Sequence, residues 1–336
     1  MVKKTTIRDV ANHCGVSVYT VSSVLNNKGD ISVETTEKIL SAVDQLNYNP
    51  LKNIAVSKTI LQKTIALVFP DIYNRTDEFY FRAIQKALEE VARFDFDCKI
   101  FTESQFKEHM AVDSLRSAHL GIDGTIFFCT HQQQDALFER LINRNIQVVL
   151  IRRESSVPGV ISIMDNEYQG TWDLMTYLHD CGHNKIGVVY DSASDFKRTK
   201  RYQAYYDFQK EQELQHNITE IFLDENFKEN LLQQVQEKRV TALFCFQDQI
   251  AVQVMKTLMI AGIRIPHDIS VAGYNCDPIS RNFFPEITSV KVPVEEMIAQ
   301  ACQTLCKPNL KRNRKKNYVF DSELVKQMSS ASLKQK

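Results

Sequence analysis

Several catalytic signatures are missing from this 336-residue chain. It has no C-x-x-C pair, no G-x-G-x-x-G, no G-x-x-x-x-G-K-[ST] and no G-x-S-x-G. These absences argue against a dithiol or metal knuckle, a dinucleotide fold, a P-loop and a hydrolase elbow in turn. With ten glycines in all, there is little material for a phosphate-cradling loop. No apolar run approaches the ~18 residues of a spanning helix, and the opening Met-Val-Lys-Lys-Thr-Thr is polar, unlike a signal peptide. The eight cysteines lie mostly in apolar runs, Cys302 and Cys306 being the closest pair. Buried free thiols in a reducing cytoplasm are therefore expected, with no metal, no cofactor, no membrane contact and no enzyme activity. An excess of charge is also lacking: 41 basic residues face 41 acidic ones, which excludes a uniformly basic nucleic-acid coat and an acidic disordered chain.

The zero conceals an asymmetry. Up to Lys63 there are eight basic and five acidic residues, a net of +3, which leaves −3 for the remainder. A small positive head on a negative body fits a nucleic-acid module joined to a domain with another task. The head reads as three short helices. Thr6-Ile7-Arg8-Asp9 has capping-box spacing, and Val10, Ala11 and Cys14 form one apolar face that ends at Gly15. Ser17 is placed to cap a second helix from Val18 to about Leu25. Val21, Val24 and Leu25 of this helix face inward, and Val18, Tyr19, Ser22 and Ser23 outward. A third helix begins at Ser32 with Ile39, Leu40, Val43 and Leu46 as its stripe. Two helices joined by a short Gly-containing turn make a helix-turn-helix, which lays the start of the second helix in a major groove. Periodicity by itself leaves a plain helical bundle equally open.

The run Thr6-Ile7-Arg8-Asp9-Val10-Ala11, then Gly15-Val16-Ser17, Thr20-Val21-Ser22, Leu25-Asn26 and Tyr48-x-Pro50 closely resembles the head of the LacI/GalR family of bacterial transcription regulators. The resemblance implies DNA contacts by Thr6, Ser17, Val18, Tyr19, Thr20, Ser22, Ser23 and Asn26 on a pseudo-palindromic double-stranded operator. The base-reading positions are Val18, Tyr19 and Ser23, without the arginine common there, so the operator should lack an arginine–guanine readout. In the hinge, Ser57 falls where the family's minor-groove leucine usually stands. Either Val56 or Ile54 takes its place in a shifted register, or the DNA is bent less.

From Thr64 onward, apolar strand-like runs (Ile65–Phe69, Cys98–Phe101, Thr125–Cys129, Val148–Ile151, Ile186–Tyr190, Ile218–Leu223, Ala242–Phe246 and Ile269–Ala272) alternate with amphipathic helical stretches. This predicts an α/β body of two doubly wound parallel sheets. Such sheets bind ligands beyond the carboxyl ends of their strands, where Asp71, Asp165, Asp191, Asp248 and Asn275 stand. Acceptors of this kind at several strand ends suit polyhydroxy ligands.

The resemblance continues through Asp165-Asn166, Gly182-His183, Asp248-Gln249-x-Ala251, Pro266-x-Asp268-Ile269-Ser270-Val271 and Gly273-Tyr274 into that family's periplasmic-binding-protein-like core. It implies an effector site lined by Asp165, Arg201, Asp248 and Asn275. Asp71 borders that cleft, and Phe79 or Tyr80, after a loop about four residues longer than usual, has either a core role or a place on a sugar face. The expected parts are a head over 1–47, a hinge over 48–63, a first lobe over 64–163 with 291–317, and a second over 164–290 with 318–336. The expected function is a dimeric cytoplasmic repressor of a carbohydrate-utilisation operon, released by a small sugar-type effector. A corepressor-dependent regulator of catabolite or purine type is the alternative. The basic run 307–316 is expected to be a solvated loop.

Overall fold

The computed structural model describes residues 5–25, 31–46, 48, 63–71, 78–112, 122–128, 134–191, 199–307 and 317–333, and the structural statements below concern these. The head holds α1 (Ile7–Cys14), α2 (Val18–Leu25) and α3 (Val33–Gln45). They close on a core of their own, built from Val10, Ala11, Cys14, Val21, Ile39, Ala42 and Tyr48. Full burial of Val10, Val21 and Ile39 contributes about 1.5–3 kcal/mol each. Tyr48, expected to open the hinge, is 6% exposed and belongs to the head, because its ring completes this small core.

The body repeats one topology twice. The first sheet contains β1 (Lys63–Phe69), β2 (Phe96–Thr102), β3 (Ile122–Phe128), β4 (Gln147–Ile151), β5 (Ile161–Asp165) and β11 (Asn317–Phe320). Their spatial order is β11-β5-β4-β3-β1-β2, all parallel. The second contains β6 (Ile186–Tyr190), β7 (Thr219–Phe222), β8 (Ala242–Cys245), β9 (Ser270–Asn275), β10 (Thr288–Lys291) and β12 (Glu323–Val325), in the order β12-β10-β9-β8-β6-β7. Only its edge strand β12 runs antiparallel. Continuous apolar strands such as Thr64–Phe69, buried along their whole length, require helices on both faces.

The helices that bear on function are α4 (Glu78–Arg93), α5 (Glu103–Val112), α6 (Asp135–Asn143), α7 (Glu167–Asp180) and α8 (Lys200–Glu211), followed by α9 (Phe227–Gln236), α10 (Asp248–Ile260), α11 (Pro278–Asn282) and α12 (Val294–Cys306). The chain crosses between sheets after Asp165, after Lys291 and after Phe320. The first and third crossings lie beyond the boundaries drawn at 163 and 317, because β5 and β11 each continue to their ends in the first sheet. One apolar cluster runs from Ile65, Leu67 and Phe69 through Val292 and Val294 to Val188, Phe244 and Tyr274, so the two lobes share a core. The described cysteines are free thiols. Among the described residues, no helix is long and apolar enough to cross a membrane.

Candidate nucleic-acid interface and effector cleft

In the head, local chemistry fixes the presentation of α2. Thr6 and Asp9 form the expected capping box, with the Thr6 amide donating to Asp9 Oδ2 at 2.7 Å and the Asp9 amide to Thr6 Oγ1 at 3.4 Å. Gly15 ends α1 at φ +66°, a left-handed conformation that a side chain would strain. Ser17 Oγ accepts from the Thr20 amide at 3.0 Å and so caps α2. The turn leaves Val18 40% and Tyr19 80% exposed, while Val21 is sealed behind them. Val18 and Tyr19 thus both present surface on the first turn of a capped helix, the part that helix-turn-helix geometry lays in a groove. Ser17 is exposed, and Thr20 and Ser22 are half-buried. Ser23 departs from expectation. It is 8% exposed, because α2 meets both α1 and α3 and a second face is thereby covered. Asn26, Ile54, Val56, Ser57 and the loop 72–77 lie outside the described residues, as does most of the basic run 307–316.

In the body, charged side chains beyond the strand ends meet in one cluster between the lobes. Arg152 follows β4 in a left-handed conformation, φ +60°. Its Nε donates to Asp165 Oδ1 at 2.8 Å and its Nη2 to Asp165 Oδ2 at 3.3 Å, and Nη2 also reaches Glu167 Oε1. From the other lobe, Arg201 donates to the same Glu167 oxygen through Nε at 3.1 Å and Nη2 at 2.9 Å. Its Nη1 donates to the Phe246 carbonyl at 2.6 Å, and its guanidinium sits 4.0 Å from the Tyr274 ring centroid. Arg152 in turn lies over the Phe79 ring at 5.3 Å. Burial works against charge on Arg152, yet Asp165 and Glu167 raise its pKa above the ordinary value. For Glu167, burial is outweighed by Arg152 and Arg201, which hold the carboxyl low. At Asp165 burial wins and the carboxyl is raised.

A second cluster joins the lobes. Arg82 of α4 forms a two-pronged bond with Glu295 at 2.8 and 2.7 Å, and lies 3.4 Å from Asp277 of the second lobe. Glu78, one turn earlier, accepts from the Ile279 amide at 3.0 Å. Its carboxylate thus caps α11 from the opposite lobe, because the N-cap residue Asp277 makes no side-chain cap of its own.

The sequence-derived effector residues divide as follows. Asp165 and Arg201 meet through Glu167 and Arg152, as described. Asn275 is 3% exposed, and its Oδ1 is buried with no hydrogen-bond partner. It and Cys276 have φ of +102° and +52°, a strained corner at the end of β9. Asp248 is wholly enclosed at the start of α10. Its oxygens accept from Ser289 Oγ at 2.6 Å and the Asp277 amide at 2.7 Å, and burial raises its pKa well above the usual range. Asp71 is exposed, but it accepts from the Ser104 amide at 2.9 Å and hydroxyl at 2.6 Å, which ties it to the start of α5. Phe79 is 5% exposed and takes the core role, under Arg152. Tyr80 packs edge-on against Phe69 and Phe128. His183 is structural, bonded to Thr241 Oγ1 and the Ala331 carbonyl.

Sequence reasoning passed over Arg152, Glu167, Glu78, Arg82 and Asp277. Arg152 had a usable signal, since it directly follows the apolar run Val148–Ile151. The cleft supplies hydrogen-bond donors, acceptors and aromatic faces, and among the described residues no group of His, Cys, Asp and Glu could hold a metal. Burial pushes the Cys98 and Cys306 thiols up to about 11, far from a reactive thiolate.

Comparison with known proteins gives matching results for both parts. The family described as bacterial regulatory proteins, lacI family, matches residues 6–51, and the periplasmic binding protein-like domain matches residues 175–329. The HTH-type transcriptional regulator DegA of Bacillus subtilis is 27% identical over 98% of this chain and 99% of its own length. The HTH-type transcriptional repressor PurR of Haemophilus influenzae is 29% identical over 85% of each chain. Among solved structures, a LacI family transcriptional regulator from Enterococcus faecium with bound ribose superposes at a TM-score of 0.69 with 19% identity, covering 81% of this chain and 100% of that one. The lac repressor dimer bound to operator and the anti-inducer ONPF does so at 0.67 with 22% identity, over 98% of this chain and 100% of that one.

Proposed function

This chain belongs to the lacI family of bacterial regulatory proteins, and we propose that it is a cytoplasmic transcriptional repressor of a carbohydrate-utilisation operon, released by a small sugar-type effector. The observation that carries the DNA-binding part is the exposed pair Val18 and Tyr19 on the capped first turn of α2. Valine can pack on a thymine methyl, and the tyrosine hydroxyl can donate to or accept from a base edge. Thr6, Ser17, Thr20 and Ser22 flank them toward the phosphates, and Asn26, Ile54, Val56 and Ser57 remain candidates from the family resemblance. A dimer would match a pseudo-palindromic operator through its own two-fold symmetry, as the dimeric, operator-bound lac repressor does.

Effector binding between the lobes would alter how they close and, with it, the spacing of residues 48–63 across the dimer, so that the heads lose paired docking. Coupling of this kind amounts to about 1–3 kcal/mol. The ribose-bound relative supports a sugar, and Asp165, Arg201 and Asn275 are the contacts proposed here. PurR among the relatives keeps the corepressor reading open. One experiment separates the two readings. An operator is obtained by randomised-site selection, and its affinity is then measured with and without each sugar and sugar phosphate that shifts the melting temperature. Weakened binding supports release and strengthened binding supports corepression. A selection that yields no consensus site overturns the function.

A further inference from the structure

We infer that Glu167 fills, from within the chain, an anion seat built by Arg152 and Arg201, and that it thereby restricts the cleft to uncharged polyols. The ligand half of this inference rests on the effector reading above, whereas the seat does not. Two guanidiniums from opposite lobes converge on one oxygen, Glu167 Oε1. Each is also held by contacts that owe nothing to Glu167. Arg152 is gripped by Asp165 and lies over Phe79, and Arg201 is bonded to the Phe246 carbonyl and stacked on Tyr274. The seat therefore outlasts the removal of its occupant.

The charges balance: two guanidiniums against the carboxylates of Asp165 and Glu167, with side-chain exposures of 19%, 9%, 0% and 17%. A ligand carboxylate or phosphate entering this desolvated cluster would bring a negative charge for which Arg152 and Arg201, already matched by Asp165 and Glu167, have no spare positive charge. Hydroxyls meet no such obstacle. Among the described residues Arg152 Nη1 keeps donor capacity, Glu167 Oε2 keeps acceptor capacity, and Asn275 Oδ1 is buried without a donor. Glu167 is thus a specificity-determining residue, an internal anion that does the work an acidic ligand would otherwise do. It opens α7 at the crossover between the lobes, so its position is fixed by the backbone that both sheets share.

The full-length chain and its Glu167→Ala variant are melted in chloride buffer with increasing formate or acetate. The variant should melt lower and regain melting temperature saturably with formate, while the wild type should not respond. In the same assay, neutral D-ribose, D-glucose and cellobiose are set against D-gluconate, D-glucuronate and D-glucose 6-phosphate. The acids should bind the variant at least about tenfold more tightly than the wild type, a difference a titration resolves easily. Glu167→Gln, which keeps the shape and removes the charge, should show the same gain if the alanine variant does not fold. Absence of formate rescue overturns the seat, whatever the sugars do. An acidic sugar that binds the wild type as well as the variants overturns the restriction. Formate rescue with no response to any sugar leaves the seat standing and counts against the sugar-effector reading alone.

Discussion

Arg82→Met, Asp277→Asn and their combination test whether the two lobes are clasped by charge. Arg82 lies against Asp277, whose side chain is 2% exposed. At their 3.4 Å separation, Coulomb attraction with an effective dielectric of 20 is about 5 kcal/mol. Desolvation of both groups opposes it, and Arg82 is shared with Glu295, which is 43% exposed and therefore contributes weakly. Breaking a buried pair from one side leaves an uncompensated charge, typically ~3–5 kcal/mol. Arg82→Met should accordingly destabilise by about 3 kcal/mol. The double variant should recover part of that loss, with a coupling of about 1–3 kcal/mol. Denaturant unfolding of all four proteins gives the cycle, and small-angle scattering should show the single Arg82 variant to be more extended. A coupling within about 0.5 kcal/mol of zero, with unchanged scattering, would mean that this charged clasp holds nothing.

Asp248 bears on pH dependence. Burial raises its pKa, so the native state binds its proton more tightly than the unfolded chain does, and its contribution falls as pH rises above about 4. Asp248→Asn should remove that slope, so melting curves of wild type and variant should diverge with pH; parallel curves would refute the assignment. A Cβ on Gly273 would stand 2.1 Å from Asp248 Oδ1, so Gly273→Ala should cost about 1–3 kcal/mol in chemical denaturation. Ser17→Ala removes the cap of α2 and should lower head stability by about 1 kcal/mol, together with operator affinity in a gel-shift titration. Exchanging Val18 and Tyr19 should change the sequence selected from a random pool while leaving the melting temperature within about a degree. Unchanged selection would remove these two side chains from base reading.

Much of this molecule was legible in its sequence where signals are local. Thr6 with Asp9, Gly15 and Ser17 mark helix ends through bonds a few residues long, and the long apolar runs of the two sheets announce themselves. What escaped depends on distant partners. Strand β10, Thr288–Lys291, hides because buried Thr288 and Ser289 look like loop residues until Ser329, Ser330 and Asp248 supply their hydrogen bonds. Ser23 was placed outside because helical period describes one buried face, whereas α2 has two neighbours. Beyond the strand ends, a search for acceptors singled out Asp165, Asp248 and Asn275 but looked past Arg152, a donor at an equivalent position.

A helix whose cap resides on another lobe has a consequence of its own. The Ile279 amide donates to Glu78 across the lobes, so a separation of the lobes would untie the first turn of α11 and release that proton. Deuterium uptake at this single amide then becomes a clock for opening that needs no label and no knowledge of the effector. A ligand that favours the closed form should slow it, and one that props the lobes apart should quicken it.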